Sequence, residues 1–495
     1  MSKIADALAD LPAQSLTALF DDPDRANRFA LTVSDIRFDW AKTHLTGAMI
    51  ERFATLAGSA NLAGLREDLF AGRVVNPSEG RAAEHCAERG EGAAEPVQRA
   101  RAFHNRMRSL VEAIEAGAFG EIRHLLHVGI GGSALGPDLL IDALGRDSDR
   151  YDVAVVSNVD GSALKEAFAC FDPAKTMLAI ASKTFTTTET MLNAESALAW
   201  MTDAGGDAMS RVVALTASPE KAFEWGVDDT RILPFSETVG GRYSLWSSIG
   251  FPAALALGWG AFEELLEGAA EMDRHFRFAP WHENAPFLAA AADLYYAQAR
   301  GCQTRAVFAY DERLRLLPSY LQQLEMESNG KRVTRDGAAL DGPTAAVTWG
   351  GVGTDGQHAV FQLLHQGTHL IPVEFVAVVE PGHDLDEAHH RQLLGNCFAQ
   401  GAALMTGRDH EDLARAYPGD RPSSTILLDR LDPRSLGALI AFYEHRTFVN
   451  AALLGINPFD QFGVELGKEM AKALEMGGRE FDASTEALME RAFGG

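Results

Sequence analysis

The stretch HLLHVGIGGSALGPD, residues 124–138, decides the fold because it joins a buried strand to a helix through a glycine-rich loop. Its first half is a short apolar run, which is typical of a strand covered on both faces. Pro137 and Asp138 follow the glycines, where the first turn of a helix favours them. A glycine loop at this point allows backbone N–H groups to approach an anion at the positive end of the helix.

Further strand candidates alternate with helical stretches on both sides of a boundary in the range 260–300. They lie at 153–159, 176–182 and 211–217 in the first half, and at 305–311, 345–350, 373–380 and 424–429 in the second. Alternation of this kind indicates βαβ units and a parallel sheet. We therefore expect an α/β fold of two domains, each a mostly parallel sheet flanked by helices. The expected division is a helical N-terminal segment over 1–115, domains over 116–275 and 285–455, and a helical C-terminal tail over 456–495.

The charge balance excludes two classes of partner. The 495 residues hold 44 Lys and Arg against 69 Asp and Glu, a net charge of −25. Such a surface repels nucleic-acid phosphates and anionic lipid, so we expect neither nucleic acid nor a membrane as a partner. An anionic substrate would have to be collected in a local pocket.

The cysteines and histidines argue against disulfides and metals. The four cysteines are far apart, without a CxxC pair, which predicts no disulfide scaffold and no zinc–thiolate site. HExxH is absent, and the histidines of 383–392 have no standard metal-ligand spacing. The N-terminus lacks the features of a signal peptide. We therefore expect a metal-free cytoplasmic protein.

The glycine loop has more than one interpretation. Gly129, Gly131 and Ala134 match G-x-G-x-x-A, so dinucleotide binding is an alternative to a phosphate site. That alternative needs an acidic residue at the end of the next strand, where Ser157 and Asn158 stand instead. A tight turn without a ligand is the third possibility.

A second candidate anion site is SKTFTTTET, residues 182–190. Its hydroxyls and one lysine lie between a strand and a helix, and these groups suit a phosphate monoester. The alternative is that one hydroxyl only caps the helix.

Four later stretches contain candidate catalytic side chains. Arg242 follows two glycines in GGRYSLWSSIG and could stabilise an oxyanion or form an ordinary salt bridge. In LQQLEMESNGK, Gln323 and Glu327 share one face of a predicted helix that ends at Asn329–Gly330, and Glu327 is a candidate base or a surface carboxylate. His358 follows a glycine loop, and Lys468 lies seven residues after Gln461; each also has a plain surface interpretation.

In chain order, these stretches closely resemble the phosphoglucose isomerase family. The matching blocks are GIGGSALGP, SNVDG, SKTFTTTET, GGRYSLWSSIG, MESNGK, GTDGQHAVFQLLHQGT and FDQFGVELGK, over residues 129–470. Thr188 departs from the family, which usually has glutamine there. The resemblance implies two sugar-isomerase (SIS) domains, a homodimer and no cofactor. It also implies interconversion of glucose 6-phosphate and fructose 6-phosphate in glycolysis and gluconeogenesis.

The resemblance also implies a role for each matching residue. Glu327 is the base that moves a proton between C2 and C1, and Arg242 stabilises the enediolate. His358, reaching into the neighbouring subunit's site, and Lys468 open the sugar ring. The phosphate-binding positions are Ser133, Ser182, Lys183, Thr184 and Thr187, with Gly132 close by, and the sugar-contacting positions are Gln323 and Gln461.

Two other classes of function stay open at this stage. A non-catalytic sugar-phosphate sensor would keep the hydroxyl-rich loop but could dispense with Glu327 and Lys468, and both are present. An NAD(P)-dependent oxidoreductase would use the G-x-G-x-x-A loop.

Overall fold

The computed structural model describes residues 3–340, 342–476 and 480–493. Within these ranges the strands form two sheets, and both sheets belong to the first of two compact units, Met1–Pro458 and Phe459–Gly495. The strands are β1 (Ala30–Val33), β2 (Ile36–Asp39), β3 (His124–Gly129), β4 (Asp152–Val156), β5 (Thr176–Ala181), β6 (Val212–Thr216), β7 (Ile232–Pro234), β8 (Thr304–Tyr310), β9 (Val347–Val352), β10 (Val373–Val378) and β11 (Ser423–Leu428).

Helices occupy most of the chain between the strands, which confirms the expected α/β class. The α-helices are α1 (Lys3–Leu8), α2 (Leu16–Leu19), α3 (Arg25–Arg28), α4 (Gly47–Ser59), α5 (Leu62–Phe70), α6 (His85–Glu88), α7 (Ala94–Glu115), α8 (Leu135–Leu144), α9 (Gly161–Cys170), α10 (Thr188–Asp203), α11 (Pro219–Trp225), α12 (Phe251–Leu257), α13 (Trp259–Phe278), α14 (Ala285–Leu294), α15 (Leu317–Leu321), α16 (Asp355–Gln366), α17 (Glu387–Thr406), α18 (Pro433–Leu454), α19 (Glu465–Met476) and α20 (Ala483–Phe493). Among the described residues, no helix is both long enough and apolar enough to cross a membrane.

The first sheet has the order β4-β3-β5-β6-β7, and all its strands are parallel. Its apolar core forms between the strands and helices α9, α10 and α11. β3 pairs with β5 in a register that places Gly129 opposite Ala181. Because the carboxyl ends of parallel strands meet at one edge, the loops that follow β3 and β5 are neighbours.

The second sheet has the order β1-β2-β11-β10-β8-β9. β8 to β11 are parallel, whereas β1 and β2 form an antiparallel hairpin that extends the sheet through β11. This hairpin departs from the prediction that residues 1–115 are helical. Ser34 and Asp35 make its two-residue turn, both with positive φ, and Ile36 and Phe38 are fully buried. Four-residue strands without a glycine at the turn give only a faint signal in the sequence.

Helix α18 lies at the centre of the first unit and is buried along almost its whole length. It packs closely on α13, because Gly437 approaches the Leu265 carbonyl oxygen and Gly268 approaches the Arg434 carbonyl oxygen. A β-carbon at either glycine would lie within 2.0 Å of that oxygen. The helix contains Glu444 and Arg446, whose charges are paired inside the protein.

All four cysteines are free, which confirms the prediction of no disulfide.

Candidate active site

The glycine loop after β3 is held in place by a buried histidine. It forms a 3₁₀ turn over Gly131–Ser133, and Ile130 precedes it. Nε2 of His127 lies 2.7 Å from the carbonyl oxygen of Ser133. Because a carbonyl oxygen only accepts, Nε2 is the donor in this hydrogen bond. Burial lowers the pKa of His127 to about 4, so the ring stays neutral near pH 7. The loop is therefore fixed before any ligand binds.

The hydroxyl-rich loop after β5 lies beside it. Ser182 Oγ and Thr187 Oγ1 are 3.0 Å apart, and the hydroxyls of Thr184 and Thr186 are 2.9 Å apart. Thr187 precedes the first residue of α10, yet its side chain makes no capping hydrogen bond. The Thr187 hydroxyl is therefore not used as a cap, and a hydroxyl at the N-terminus of a long helix is suited to an anion.

Lys183 has a more constrained position than the sequence suggested. Its Nζ donates to the carbonyl oxygens of Glu237 and Val239, at 2.6 and 3.2 Å. Burial and, second, the positive charge of Arg81 lower the pKa of Lys183. The ammonium is thus tied to the 237–239 backbone, with two of its three donors in use.

Two glycines bring the other candidate residues onto the glycine loop. A β-carbon on Gly132 would lie 2.1 Å from the carbonyl carbon of Gly241 and 2.5 Å from the backbone nitrogen of Arg242, so these backbones are in direct contact. Gly131 has a φ of +56°, and its ideal β-carbon position is 2.9 Å from Gln323 Nε2. The loop therefore meets both the arginine turn and the helix that contains Gln323.

Arg242 and Glu327 face each other at this point. Arg242 lies in a 3₁₀ turn over Gly241–Tyr243 and is 3% exposed. Its Nη1 is 3.4 Å from Glu327 Oε2, a buried atom that has no hydrogen-bond partner among the described residues. A carboxylate oxygen that is close to a fixed cation, yet makes no hydrogen bond, is free to accept a proton from a substrate.

The segment that contains Glu327 is a π-helical turn, Gln322–Glu327, that continues α15, rather than the regular α-helix that we predicted. π-Turns within helices are frequent at functional sites. The helical run ends at Asn329, as the Asn–Gly pair predicted.

Buried charges anchor this π-turn. Glu325 pairs with Arg305 on β8 and with Arg446 on α18. Thr348 on β9 donates to Glu325 Oε2 at 2.6 Å. Burial alone would raise the pKa of Glu325, but the two arginines lower it to about 2. The base is therefore attached to the second sheet and to the central helix at the same time.

No contact among the described residues links His358 to this cluster. His358 is exposed on α16, and its side chain makes no hydrogen bond or ion pair with any described residue. Gln461 and Lys468 belong to the second compact unit, where Gln461 precedes a 3₁₀ turn and Lys468 lies on α19. The roles of these three residues stay predictions.

Sequence reasoning missed three side chains that support the site. Ser328 and Tyr243 hydrogen-bond beside Arg242, and His127 fixes the glycine loop. Ser328 and Tyr243 stand inside recognised blocks, MESNGK and GGRYSLWSSIG, so their positions alone could have marked them. His127 gives no such signal because it stands within an apolar strand.

The fold and the site define a class of protein. A carboxylate with an available oxygen, a fixed guanidinium and two polar loops at the carboxyl ends of parallel strands are the parts of an acid–base enzyme for an anionic substrate. Comparison with known proteins then gives the family. The sequence pattern of phosphoglucose isomerase matches residues 39–489.

Individual relatives agree with this match. The chain is 71% identical to a glucose-6-phosphate isomerase of Rhizorhabdus wittichii over 491 residues, covering 99% of this chain and 98% of the relative. It is 70% identical to the protein of the same name from Sphingopyxis alaskensis, with the same coverage. The crystal structure of a glucose-6-phosphate isomerase from Chlamydia trachomatis superposes with a TM-score of 0.91 at 30% identity, covering 100% of this chain and 98% of that one. The chain belongs to the phosphoglucose isomerase family, which confirms the resemblance.

Proposed function

We propose that the protein interconverts D-glucose 6-phosphate and D-fructose 6-phosphate, and so serves glycolysis and gluconeogenesis. The observation that carries this proposal is the 3.4 Å approach of Arg242 to an otherwise unbonded oxygen of Glu327, beside two polar loops. The relatives named glucose-6-phosphate isomerase supply the substrate.

The chemistry requires one base and one fixed cation. Glu327 takes the proton from C2 of open-chain glucose 6-phosphate, and the electron pair of that C–H bond forms the C1–C2 double bond of a cis-enediolate. Arg242 stabilises the oxygen that gains negative charge. A proton then passes from the O2 hydroxyl to O1, which moves the negative charge to O2. As the C2–O2 double bond forms, the C1–C2 electron pair takes the proton back from Glu327 at C1, on the same face, and gives fructose 6-phosphate. The proposal needs no metal or other cofactor, because the proton moves between adjacent carbons and the guanidinium supplies the positive charge.

The phosphate would bind where the two loops meet. Hydroxyl groups and backbone N–H groups at the N-terminus of α10 favour a dianion. Gln323 and Gln461 would contact the sugar, and the groups that we assign to the phosphate are Gly132, Ser133, Ser182, Lys183, Thr184 and Thr187. Two N–H groups of the Lys183 ammonium are used by backbone carbonyls, so Lys183 would donate its third N–H to the phosphate or attract it by its positive charge.

Ring opening would require a second subunit. The sugar arrives as a closed ring, so a proton must move to the ring oxygen, and a histidine can carry it near pH 7. We assign this step to His358 with Lys468, in a cytoplasmic homodimer whose His358 acts in the neighbouring site. The exposure of His358 on this chain supports that arrangement.

The expected division into domains is also a proposal. The first domain, 116–275, contains the strands of the five-stranded sheet, and the second, 285–455, contains the parallel strands of the other sheet. The N-terminal segment then adds its hairpin to the second domain.

A coupled assay tests the activity. Fructose 6-phosphate is added with glucose-6-phosphate dehydrogenase and NADP, and the formation of NADPH is followed. We expect turnover that survives EDTA. Activity lost in EDTA and restored by one divalent ion would contradict the metal-free mechanism. Absent turnover, with a thermal shift on adding NAD(P) alone, would favour the oxidoreductase instead.

A mixed dimer tests the shared site. Glu327→Ala and His358→Ala chains with different tags are co-expressed, and the mixed dimer is isolated. If His358 acts across the interface, one site collects both defects and the other is intact, so about half of the wild-type activity returns. A mixed dimer that is intact by size exclusion, yet as inactive as both parents, would reject the shared site.

A further inference from the structure

Ser328 connects the candidate base to the candidate cation. It follows Glu327 directly in the sequence and is 0% exposed. Its hydroxyl oxygen accepts a hydrogen bond from Arg242 Nε at 2.6 Å and lies 2.9 Å from the Tyr243 hydroxyl. A serine hydroxyl can accept two hydrogen bonds and donate one, so it can serve both neighbours.

The other ends of the guanidinium are also oriented. Arg242 Nη2 donates to the Pro458 carbonyl oxygen, and Nη1 points to Glu327 Oε2 at 3.4 Å. A guanidinium and a carboxylate that can turn freely tend to close into two parallel hydrogen bonds of about 2.7–2.9 Å. Such a closed pair would occupy the base and the cation with each other, and neither would be available to a substrate.

We infer that Ser328 is a positioning residue, whose hydroxyl holds Arg242 Nε so that Nη1 faces Glu327 without closing onto it. The hydrogen bond fixes one edge of the guanidinium, and the carbonyl of Pro458 fixes another. The inference deepens the proposed function and rests on it, because Nη1 must stay available to an enediolate oxygen that binds beside Glu327.

Ser328→Ala tests this role, with Ser248→Ala as the matched control. Ser248 is also 0% exposed, and its hydroxyl donates to the Pro234 carbonyl oxygen at 2.7 Å, away from Arg242. We expect Ser328→Ala to lower kcat by about 10- to 100-fold, because small displacements of a catalytic group are costly. The KM for fructose 6-phosphate and the inhibition constant of inorganic phosphate should change by less than about threefold, because the phosphate loops are untouched. Ser248→Ala should keep kcat.

A second background separates positioning from general structural damage. Arg242→Lys keeps a positive charge but has no Nε for Ser328 to hold. Ser328→Ala added to Arg242→Lys should lower kcat by less than about twofold, because the two residues act through one interaction. Equal losses in both backgrounds, or an unchanged kcat for Ser328→Ala alone, would overturn the inference. An inactive wild type would instead contradict the proposed function.

Discussion

Replacing Gly132 with alanine should force the glycine loop away from the turn that contains Arg242. The new β-carbon would lie 2.1 Å from the carbonyl carbon of Gly241, 2.3 Å from its oxygen and 2.5 Å from the nitrogen of Arg242. All three are backbone atoms, so no side chain can rotate away. The shortest contact is about 1.3 Å below the 3.4 Å of ordinary van der Waals contact. A displacement of about 1 Å in a catalytic group can cost roughly 100-fold in rate.

We therefore expect Gly132→Ala to lower kcat/KM by at least about 100-fold in the coupled assay. Gly241→Ala is the control, because its β-carbon would face the same contact with Gly132 Cα at 4.0 Å and without a clash. That variant should stay within about threefold of wild type. Near-normal activity in Gly132→Ala, or equal damage in both variants, would refute the assigned contact between the loop and the turn.

Two further predictions concern the loops after β3 and β5. Ser182→Ala and Thr184→Ala should each raise KM by roughly 10- to 150-fold, because each removes one hydrogen bond to a charged phosphate. An unchanged KM in both variants would show that the phosphate binds elsewhere. Folding lowers the pKa of His127 to about 4, so the free energy of unfolding should fall as the pH drops from about 6.5 to 4. His127→Gln keeps a donor for the Ser133 carbonyl oxygen and does not titrate. Urea titrations at several pH values should therefore show that the free energy of unfolding changes less with pH in this variant, by up to about 1.4 kcal/mol per pH unit. An equal pH dependence in the variant and the wild type would contradict the lowered pKa of His127.

Local patterns predicted most of the fold. The strand over His124–Gly129 and the loop after it follow from one apolar run and the glycines that end it. The strand candidates at 176–182 and 211–217 agree with β5 and β6 to within a residue or two at each end. The same patterns could not reveal the hairpin at 30–39 or the three-residue β7, because both are too short for a clear period.

Sequence patterns could not predict the buried ion pairs and hydrogen bonds that hold the site residues in place. Arg305, Glu325 and Arg446 form one buried network although they are 20 and 121 residues apart in the chain. Hydrophobic period describes which face of an element is buried, not which charges will meet inside. Glu327 was identified as a candidate base, but only the folded chain reveals that Ser328, the next residue, holds Arg242.

Glu327→Gln tests most directly whether Glu327 moves the proton. The amide keeps the shape of the side chain but cannot take a proton, so the loss should fall on kcat. The coupled assay gives kcat, and calorimetry gives the affinity for fructose 6-phosphate in the same preparation. We predict a kcat at least about 1,000-fold lower with binding retained. A variant that kept more than about a tenth of the wild-type kcat would contradict the assignment of Glu327 as the base.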